Sequence, residues 1–524
     1  MTKNLVTDIL IEMIVTKMKL TMLFVLISIS LFAQKPIYVN SFEPNKQYTT
    51  VKGVIGTALD LSAAAPIRKI QTVKNALHKT QGDFSVMVWV KAAGTMATDY
   101  DVLSSVKVVD KQFQGWRLGV QANGAWHWEA RAKSSYAYSP TPERQTVKDN
   151  QWHLLSFSYS KQKEEVRLYY DGVNTAIYHT PGLDSLNTEE LFIGGRIADA
   201  NNSLNAEYKD QWNAFNGFLD QVSLYTESLN ADFIKQQYQH RFPATGKNSS
   251  YANNGILKVM NFNIFHGGNE TGKEVGEQRI VEVIKNAGAD LISMQETYGS
   301  GARIADKLGY YLYLRSTNIS IMSRYPIEET LAGYKAFYNG GAYIRIGKNQ
   351  KIAFFANWLN FPVDYWGDLE NNRVINADTL VQQMDKGNTG DLRNILEIIK
   401  PYIAQSAETP VIFCGDFNSG SHLDWTEETR QFNHGLVVPF PSGILLVKNG
   451  FKDSFREINP DPLKVRGITW SPMSDQVFKD RIDYIYYKGS KIKAIAAVTI
   501  DQHPVKYPSD HAAVMTTFKF MSTN

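Results

Sequence analysis

The hydrophobic rhythm of this chain changes once. Up to Phe242, short segments alternate apolar and polar residues at period two, the spacing of half-buried strands. "DFSVMVWVKA", "WRLGVQ", "AWHWEA" and "WHLLSFSYS" are of this kind, and "EEVRLYYDG" closes on Asp171–Gly172, a hairpin-turn dipeptide. The first helical pattern is "NADFIKQQYQHRF". From Gly255 onward, strand-like runs alternate with helical ones: "ILKVMNFNIF", then "EQRIVEVIKNAGAD", then "LISMQET". The polar stretch "PATGKNSSYANN" between the two rhythms reads as a linker. At 524 residues the chain is too long for one core. The pattern predicts an all-β sandwich over 36–242, a linker over 243–254 and a layered α/β domain over 255–520. The sandwich is expected to be independent of the α/β half.

A formal net charge of +3 is small for this length and gives no broad electrostatic footprint for nucleic acid. The second half carries no lysine–arginine stripe, which tilts the reading away from duplex DNA. Lone Cys414 excludes an intrachain disulfide and a cysteine metal cluster, and reads as a small buried thiol. At the N-terminus, "KMKLTMLFVLISISLFAQ" places two lysines before an apolar run from Leu20 to Phe32, followed by Ala33. Residues 1–33 are therefore expected to be a cleaved signal peptide, with Met18 as an alternative start. The run is short for a membrane span. The expected location is secreted, periplasmic or at the cell surface.

In the second half, strand ends carry polar residues. "NFNIF" brings Asn263, "LISMQE" Glu296, and "VIFCGDFN" Asp416 and Asn418. "RIDYIYY" begins a strand with Asp483, and "YPSDHAAV" places Asp510 and His511 before the last one. One such residue is an ordinary turn former or cap. Five together are a hard-oxygen set suited to Mg²⁺ or Mn²⁺, with an imidazole that a carboxylate can orient. That combination suits metal-assisted phosphoester hydrolysis.

The same pieces, in order from about Leu257 to Phe518, resemble the endonuclease/exonuclease/phosphatase superfamily, the DNase I-like group. The resemblance implies a four-layered α/β sandwich and a Mg²⁺-dependent hydrolase. It implies metal ligands at Glu296, Asn263 and Asp510, and catalytic roles for Asp416, Asn418, His511 and Asp483, with Asp483 partnering His511. One departure stands out. In "FFANWLNF", Trp358 occupies the position where many members carry a histidine. Trp358, its neighbour Asn357, and Tyr365 and Trp366 of "PVDYWGDLENNR" are placed on the substrate side.

Upstream, "GVIGTALDLS", "DFSVMVWVKA", "NQWHLLSFSYS", "LFIGGR" and "FNGFLDQVSLYTESLNADFIKQ" resemble the laminin-G-like, concanavalin A-like jelly roll. Trp89, Trp152 and Phe215 are expected between its two sheets, and Trp126 and Trp128 as a core pair rather than a sugar platform. Related domains hold Ca²⁺ near the rim, where Asp220 is a candidate ligand. The combined expectation is a secreted metal-dependent phosphodiesterase whose substrate is glycan- or lipid-linked, with a carbohydrate-binding module. Two alternatives stand beside it: an adhesin with a degenerate enzyme half, and a secreted nuclease.

Overall fold

The computed structural model of the protein describes residues 34–67, 69–94, 98–109, 112–131, 134–195, 215–243, 255–475 and 477–521. The expected signal peptide and most of the expected linker lie outside these residues.

The first half is the expected two-sheet sandwich. One sheet runs in the order Thr50–Lys52, Thr57–Asp60, Gly217–Tyr225, Phe84–Ala92, His153–Ser160, Glu165–Tyr170 and Val173–His179. The facing sheet has six strands, from Gln71–Lys74 at one edge to Ser135–Tyr138 at the other. Asp171 (φ 52°) and Gly172 (φ 77°) are both left-handed, as a type I′ turn requires, and they close the hairpin between Glu165–Tyr170 and Val173–His179. Trp116, Trp126, Trp128, Phe157 and Phe215 fill the space between the sheets. Trp89 and Trp152 do not. Phe84, Val86, Val88 and Val90 take the inward parity of their strand, so Trp89 falls on the outer face. There it packs with Trp152 and Leu154 beneath the helix Ala231–Gln239. At Asp220, the candidate Ca²⁺ ligand, one carboxylate oxygen is engaged and the other has no hydrogen-bond partner among the described residues. Its carboxylate is buried and accepts the Ile55 N–H at 2.7 Å, stapling a loop. Among the described residues, no group of three potential metal-binding side chains includes it.

A buried histidine braces the sandwich near its junction with the second half. His153 Nδ1 meets Asp171 at 2.9 Å and Nε2 meets Asp149 at 2.9 Å. Burial works against the imidazolium, but the two carboxylates outweigh it and raise the pKa above the ordinary 6.5. Its stabilising contribution is therefore complete below about pH 6.5 and fades as pH rises through the higher folded value. His153→Gln is expected to lower the melting temperature more at pH 5.5 than at pH 9. A difference that does not vary with pH would show that the charge is not what matters.

The second half comprises two facing sheets with helices outside them, the four-layered arrangement anticipated above. One sheet is ordered Tyr311–Leu314, Ser320–Ser323, Leu291–Gln295, Ile256–Asn263, Ala513–Phe520 and Ile492–Ile500. The other is ordered Ile327–Leu331, Asn339–Gly347, Gln350–Trp358, Val411–Asp416, Asp483–Lys488 and Lys452–Asp453. Val259, Ile321, Phe354, Ile412, Ile485 and Val514 pack between them. Helices Lys273–Ala287 and Gly301–Leu308 cover the first sheet, and Asn388–Ala404 and Pro441–Lys448 the second.

The halves are not independent. Val173–His179 of the sandwich pairs in parallel with Tyr311–Leu314, so one 14-stranded sheet runs through both. Successive side chains on the joining strand serve different cores: Ile177 enters the core between the two α/β sheets, and Tyr178 the core of the sandwich. Asp306, 2% exposed on the α/β side, accepts hydrogen bonds from Thr141 Oγ1 and from Gln145 Nε2, the latter at 2.8 Å. Polar linker composition marks where the chain crosses over, but it says nothing of edge strands that later pair.

Candidate active site

The site grows out of the core between the α/β sheets. On four strands an inward row that begins apolar ends polar, and on a fifth it ends on Trp358. On one sheet the rows are Leu257–Val259–Asn261–Asn263 and Leu291–Ser293–Gln295. On the other they are Phe354–Ala356–Trp358, Ile412–Cys414–Asp416 and Tyr487–Ile485–Asp483. Register aligns these ends: Asn263 pairs with Gln295, Trp358 with Asp416, and Asp416 with Asp483. Two residues just beyond the strands turn through left-handed backbone, Glu296 at φ 58° and Asn418 at φ 47°. That conformation costs a non-glycine residue free energy, which surrounding bonds must offset. The Glu296 N–H donates to Asn318 Oδ1 at 2.9 Å, and the Asn418 N–H to Asp416 Oδ1 at 2.9 Å. The strand Val411–Asp416 carries its pairing as far as Asp416 itself. Gly415 is needed there because a Cβ would stand 2.6 Å from the Asn357 carbonyl oxygen.

His511 Nδ1 lies 2.8 Å from Asp483 Oδ2, the expected dyad. Its Nε2 is 3.9 Å from Asp416 Oδ2. Burial opposes the imidazolium, yet Asp483 and Asp416 raise its pKa to about 10. Burial pushes Asp416 up to about 7, with His511 lowering and Asp483 raising it. Asn263 Nδ2 bridges Glu296 Oε1 and Asp416 Oδ2, each at 3.1 Å. The Glu296 carboxylate also accepts the His266 N–H at 2.9 Å. Burial raises Asp510, as does the nearby charge of Glu296. The Asn418 amide donates to the Leu359 carbonyl at 2.8 Å, which leaves one N–H to offer.

A divalent cation fits this end of the core. Asp510 Oδ1 is buried without a hydrogen-bond partner among the described residues, and an orphaned carboxylate oxygen near a second carboxylate is what a hard cation neutralises. Asp416, Asp483 and His511 also have ligand atoms within 4.8 Å of one another. Asp483, however, is already spent on Asn261 at 3.1 Å and on His511. The Glu296 oxygens are engaged as well, so the carboxylate oxygen left over is that of Asp510, beside the Glu296 charge. Asn263, expected as a ligand, turns its nitrogen to two carboxylates and its oxygen to the Phe265 N–H at 3.0 Å. Flanked by two acceptors, the amide donates.

Three of the four residues assigned to the substrate side are elsewhere. Asn357 takes the opposite parity from Trp358 and faces the other side of its sheet. There it is fully buried, bonded to the Cys414 carbonyl at 2.6 Å and to Asn339 at 2.7 Å. Tyr365 and Trp366 are buried around Asp480, to which they donate at 2.9 and 3.3 Å. Tyr365 Oη also accepts the Gly420 N–H at 2.9 Å, so the pair braces the loop that follows Asn418. Trp358 alone keeps its place, half-buried beside Asp416. Phe337, 39% exposed, meets its ring edge-on at 5.5 Å, and Tyr338 packs at 5.9 Å. Three further residues belong to the site. Gln295 donates to Asn261 at 3.0 Å and Asn261 to Asp483, a buried relay behind the dyad. Their signal was present in the polar ends of alternating rows. Trp470, in "GITWSP", packs edge-on against His511 at 5.1 Å, a contact that nothing in the local pattern announces.

Two facing sheets topped by a buried Asp–His dyad and several carboxylates make a DNase I-like fold with its buried polar residues gathered at one end. Residues 260–511 match the model of the Endonuclease/Exonuclease/phosphatase family, and residues 69–235 that of the Concanavalin A-like lectin/glucanases superfamily. The chain thus carries a phosphoester-hydrolase domain of that family, preceded by a concanavalin A-like domain. It is 28% identical over 305 residues to an uncharacterised protein of Caenorhabditis elegans, covering 52% of this chain and 94% of that one. Similar solved structures include an AP endonuclease from Archaeoglobus fulgidus, 14% identical, covering 50% of this chain and 98% of that chain, TM-score 0.34. The human nocturnin catalytic domain is another, 17% identical, covering 52% and 97%, TM-score 0.33.

Proposed function

We propose that the protein is an exported, divalent-metal-dependent phosphodiesterase. The observation that carries this reading is the geometry of His511, held by Asp483 at 2.8 Å with Nε2 facing Asp416, beside the oxygen of Asp510 that has no partner among the described residues. The export element rests on the lysine-flanked apolar run before Ala33. Glu296 and Asp510 would hold a divalent cation, which would supply Lewis-acid stabilisation of charge on the phosphoryl oxygens. Asp416, with a pKa near neutrality, takes the proton from the attacking water as its oxygen bonds to phosphorus. His511 Nε2 donates to a phosphoryl oxygen as the bond to the leaving oxygen breaks. Asn263 holds Glu296 and Asp416 at fixed separation, and Asn418 offers its free N–H to the phosphoryl group.

Trp358 and exposed Phe337 favour an ester with a flat or apolar group next to the phosphorus. The intact polar set weighs against a degenerate enzyme. A screen of phosphomonoesters, phosphodiesters, phospholipids and nucleic acids with Mg²⁺, Mn²⁺ or chelator tests the reading. Chelator-sensitive turnover of a diester such as bis-p-nitrophenyl phosphate is expected; no turnover with any substrate or metal would end it. Trp358→His is expected to raise KM by about tenfold with little gain in kcat, because the ring acts in binding. A large rise in kcat would instead mark the position as a lost catalytic histidine.

A further inference from the structure

Beyond the strand Ile256–Asn263 the backbone takes positive φ at four residues in succession. Phe265 stands at φ 52°, ψ 91° and His266 at φ 49°, followed by Gly267 at φ 73° and Gly268 at φ 76°. For a phenylalanine and a histidine such angles are costly, and they persist only where the surroundings impose them. Here Glu296 imposes them. Its carboxylate accepts the His266 N–H at 2.9 Å, and its main-chain carbonyl accepts the Gly267 N–H at 2.6 Å. Asn263 Oδ1 accepts the Phe265 N–H at 3.0 Å. Glu296 and Tyr298 are themselves at φ 58° and 34°, so two strained turns are bonded to each other.

What the strain achieves is the placement of the His266 ring. Its Nδ1 meets Glu270 Oε1 at 2.8 Å, and its Nε2 faces Glu296 Oε2 at 3.6 Å. The second distance is too long for a hydrogen bond. It suits two ligands of one cation, each about 2.1 Å from it. The rings of Phe265 and Tyr298 flank the imidazole, with centroids 4.9 and 5.7 Å away. Each Glu296 oxygen accepts one hydrogen bond and keeps a further lone pair. Asp510, whose Oδ1 has no partner among the described residues, is near enough for its charge to act on the ring. The ligand atoms of His266, Glu296 and Asp510 do not all come within 4.8 Å of one another, as those of Asp416, Asp483 and His511 do. The His266 side chain is 54% exposed and has room to swing between the two carboxylates.

A His–Glu pair four residues apart is ordinary on a surface and explains no backbone strain. A carboxylate that fixes one ring nitrogen while the other faces a second carboxylate is how a metal-binding histidine is held. We propose that His266 Nε2 is a nitrogen ligand for the divalent cation at Glu296 and Asp510, with Glu270 fixing its tautomer, and that the site therefore prefers a first-row transition ion to Mg²⁺. An all-oxygen set suits Mg²⁺, whereas imidazole favours the transition series. The inference rests on the metal reading given above. Mn²⁺ binds nitrogen sites most weakly of that series, which makes it the most demanding probe.

Mn²⁺ and Mg²⁺ binding to the full-length protein, followed by calorimetry and, for Mn²⁺, by electron spin-echo spectroscopy, tests this. The wild type is expected to bind Mn²⁺ about tenfold tighter than Mg²⁺ and to show the modulation of a directly bound imidazole nitrogen. His266→Asn tolerates the positive φ and offers only an amide. It is expected to lose the nitrogen modulation and to weaken Mn²⁺ by about 10–100-fold, with Mg²⁺ little changed and the melting temperature without metal retained. Glu270→Gln should weaken Mn²⁺ by about tenfold. His511→Ala should keep the modulation. Modulation lost in His511→Ala but not in His266→Asn would place the cation at the buried dyad and overturn the proposal. So would Mn²⁺ bound to the wild type without nitrogen modulation, or Mg²⁺ bound as tightly as Mn²⁺. No saturable binding of either ion, or binding indifferent to Glu296→Ala, would remove the metal site itself, and this proposal with it.

Discussion

A protein shortened to begin at Asn253 is expected to lose its stable fold rather than to retain catalysis as a free domain. The cut would expose Tyr311–Leu314 as an open sheet edge, a template for aggregation. It would remove Ile177 from the core between the α/β sheets, about 1.5–3 kcal/mol for a buried side chain of that size. Asp306 would lose Thr141 and Gln145, about 1–3 kcal/mol if it stays buried. Glu165, which accepts from Thr330 across the junction, would be lost as well. Against a typical net stability of about 5–15 kcal/mol, such losses are decisive. The intact protein should unfold in one calorimetric transition, and the shortened one should aggregate or melt far lower. Two separable transitions, one matching a soluble shortened protein, would contradict the continuous sheet. Asp306→Ala in the full chain gives a milder check: it should cost about 1–3 kcal/mol in denaturant unfolding, because Thr141 and Gln145 are left facing a void.

Much of the fold and the charged set was legible in sequence, because both depend on local signals. The change from period-two runs to alternating strands and helices marked two architectures. Carboxylates and amides at strand ends marked Asn263, Glu296, Asp416, Asp483, Asp510 and His511 before any geometry was known. What escaped notice depends on parity and on distant pairing. Asn357 and Trp358 are neighbours, so a strand must send them to opposite faces, and only one can reach the site. Trp89 was misplaced in the same way. Asn261 and Gln295 lie two and one residues before polar strand ends, on the inward row, where they pass for strand interior. Tyr365 and Trp366 look like pocket residues by composition, yet the buried Asp480 claims their donors. The strand pairing between halves, Ala176 with Leu312, joins residues far apart in the chain, and no short window of sequence contains it.

His511→Ala should be the most damaging single change to turnover, a loss of about 10³-fold, typical of removing a preorganised donor to a phosphoryl oxygen. The reason lies in how fully its surroundings are committed to it. Asp483 spends one oxygen on His511 and the other on Asn261, which is itself held by Gln295. Asp483→Asn keeps the shape but removes the charge that holds the imidazolium, and should cost about 10²-fold or more. Since both changes break one unit, the double variant should be little worse than His511→Ala alone. Melting temperatures must be followed in parallel, because Asp483 is fully buried and its replacement alters a packed polar chain. A folded His511→Ala protein with near-normal kcat on a diester would remove the imidazole from the chemistry. Multiplicative losses in the double variant would mean that Asp483 acts on its own, through the cation rather than through His511.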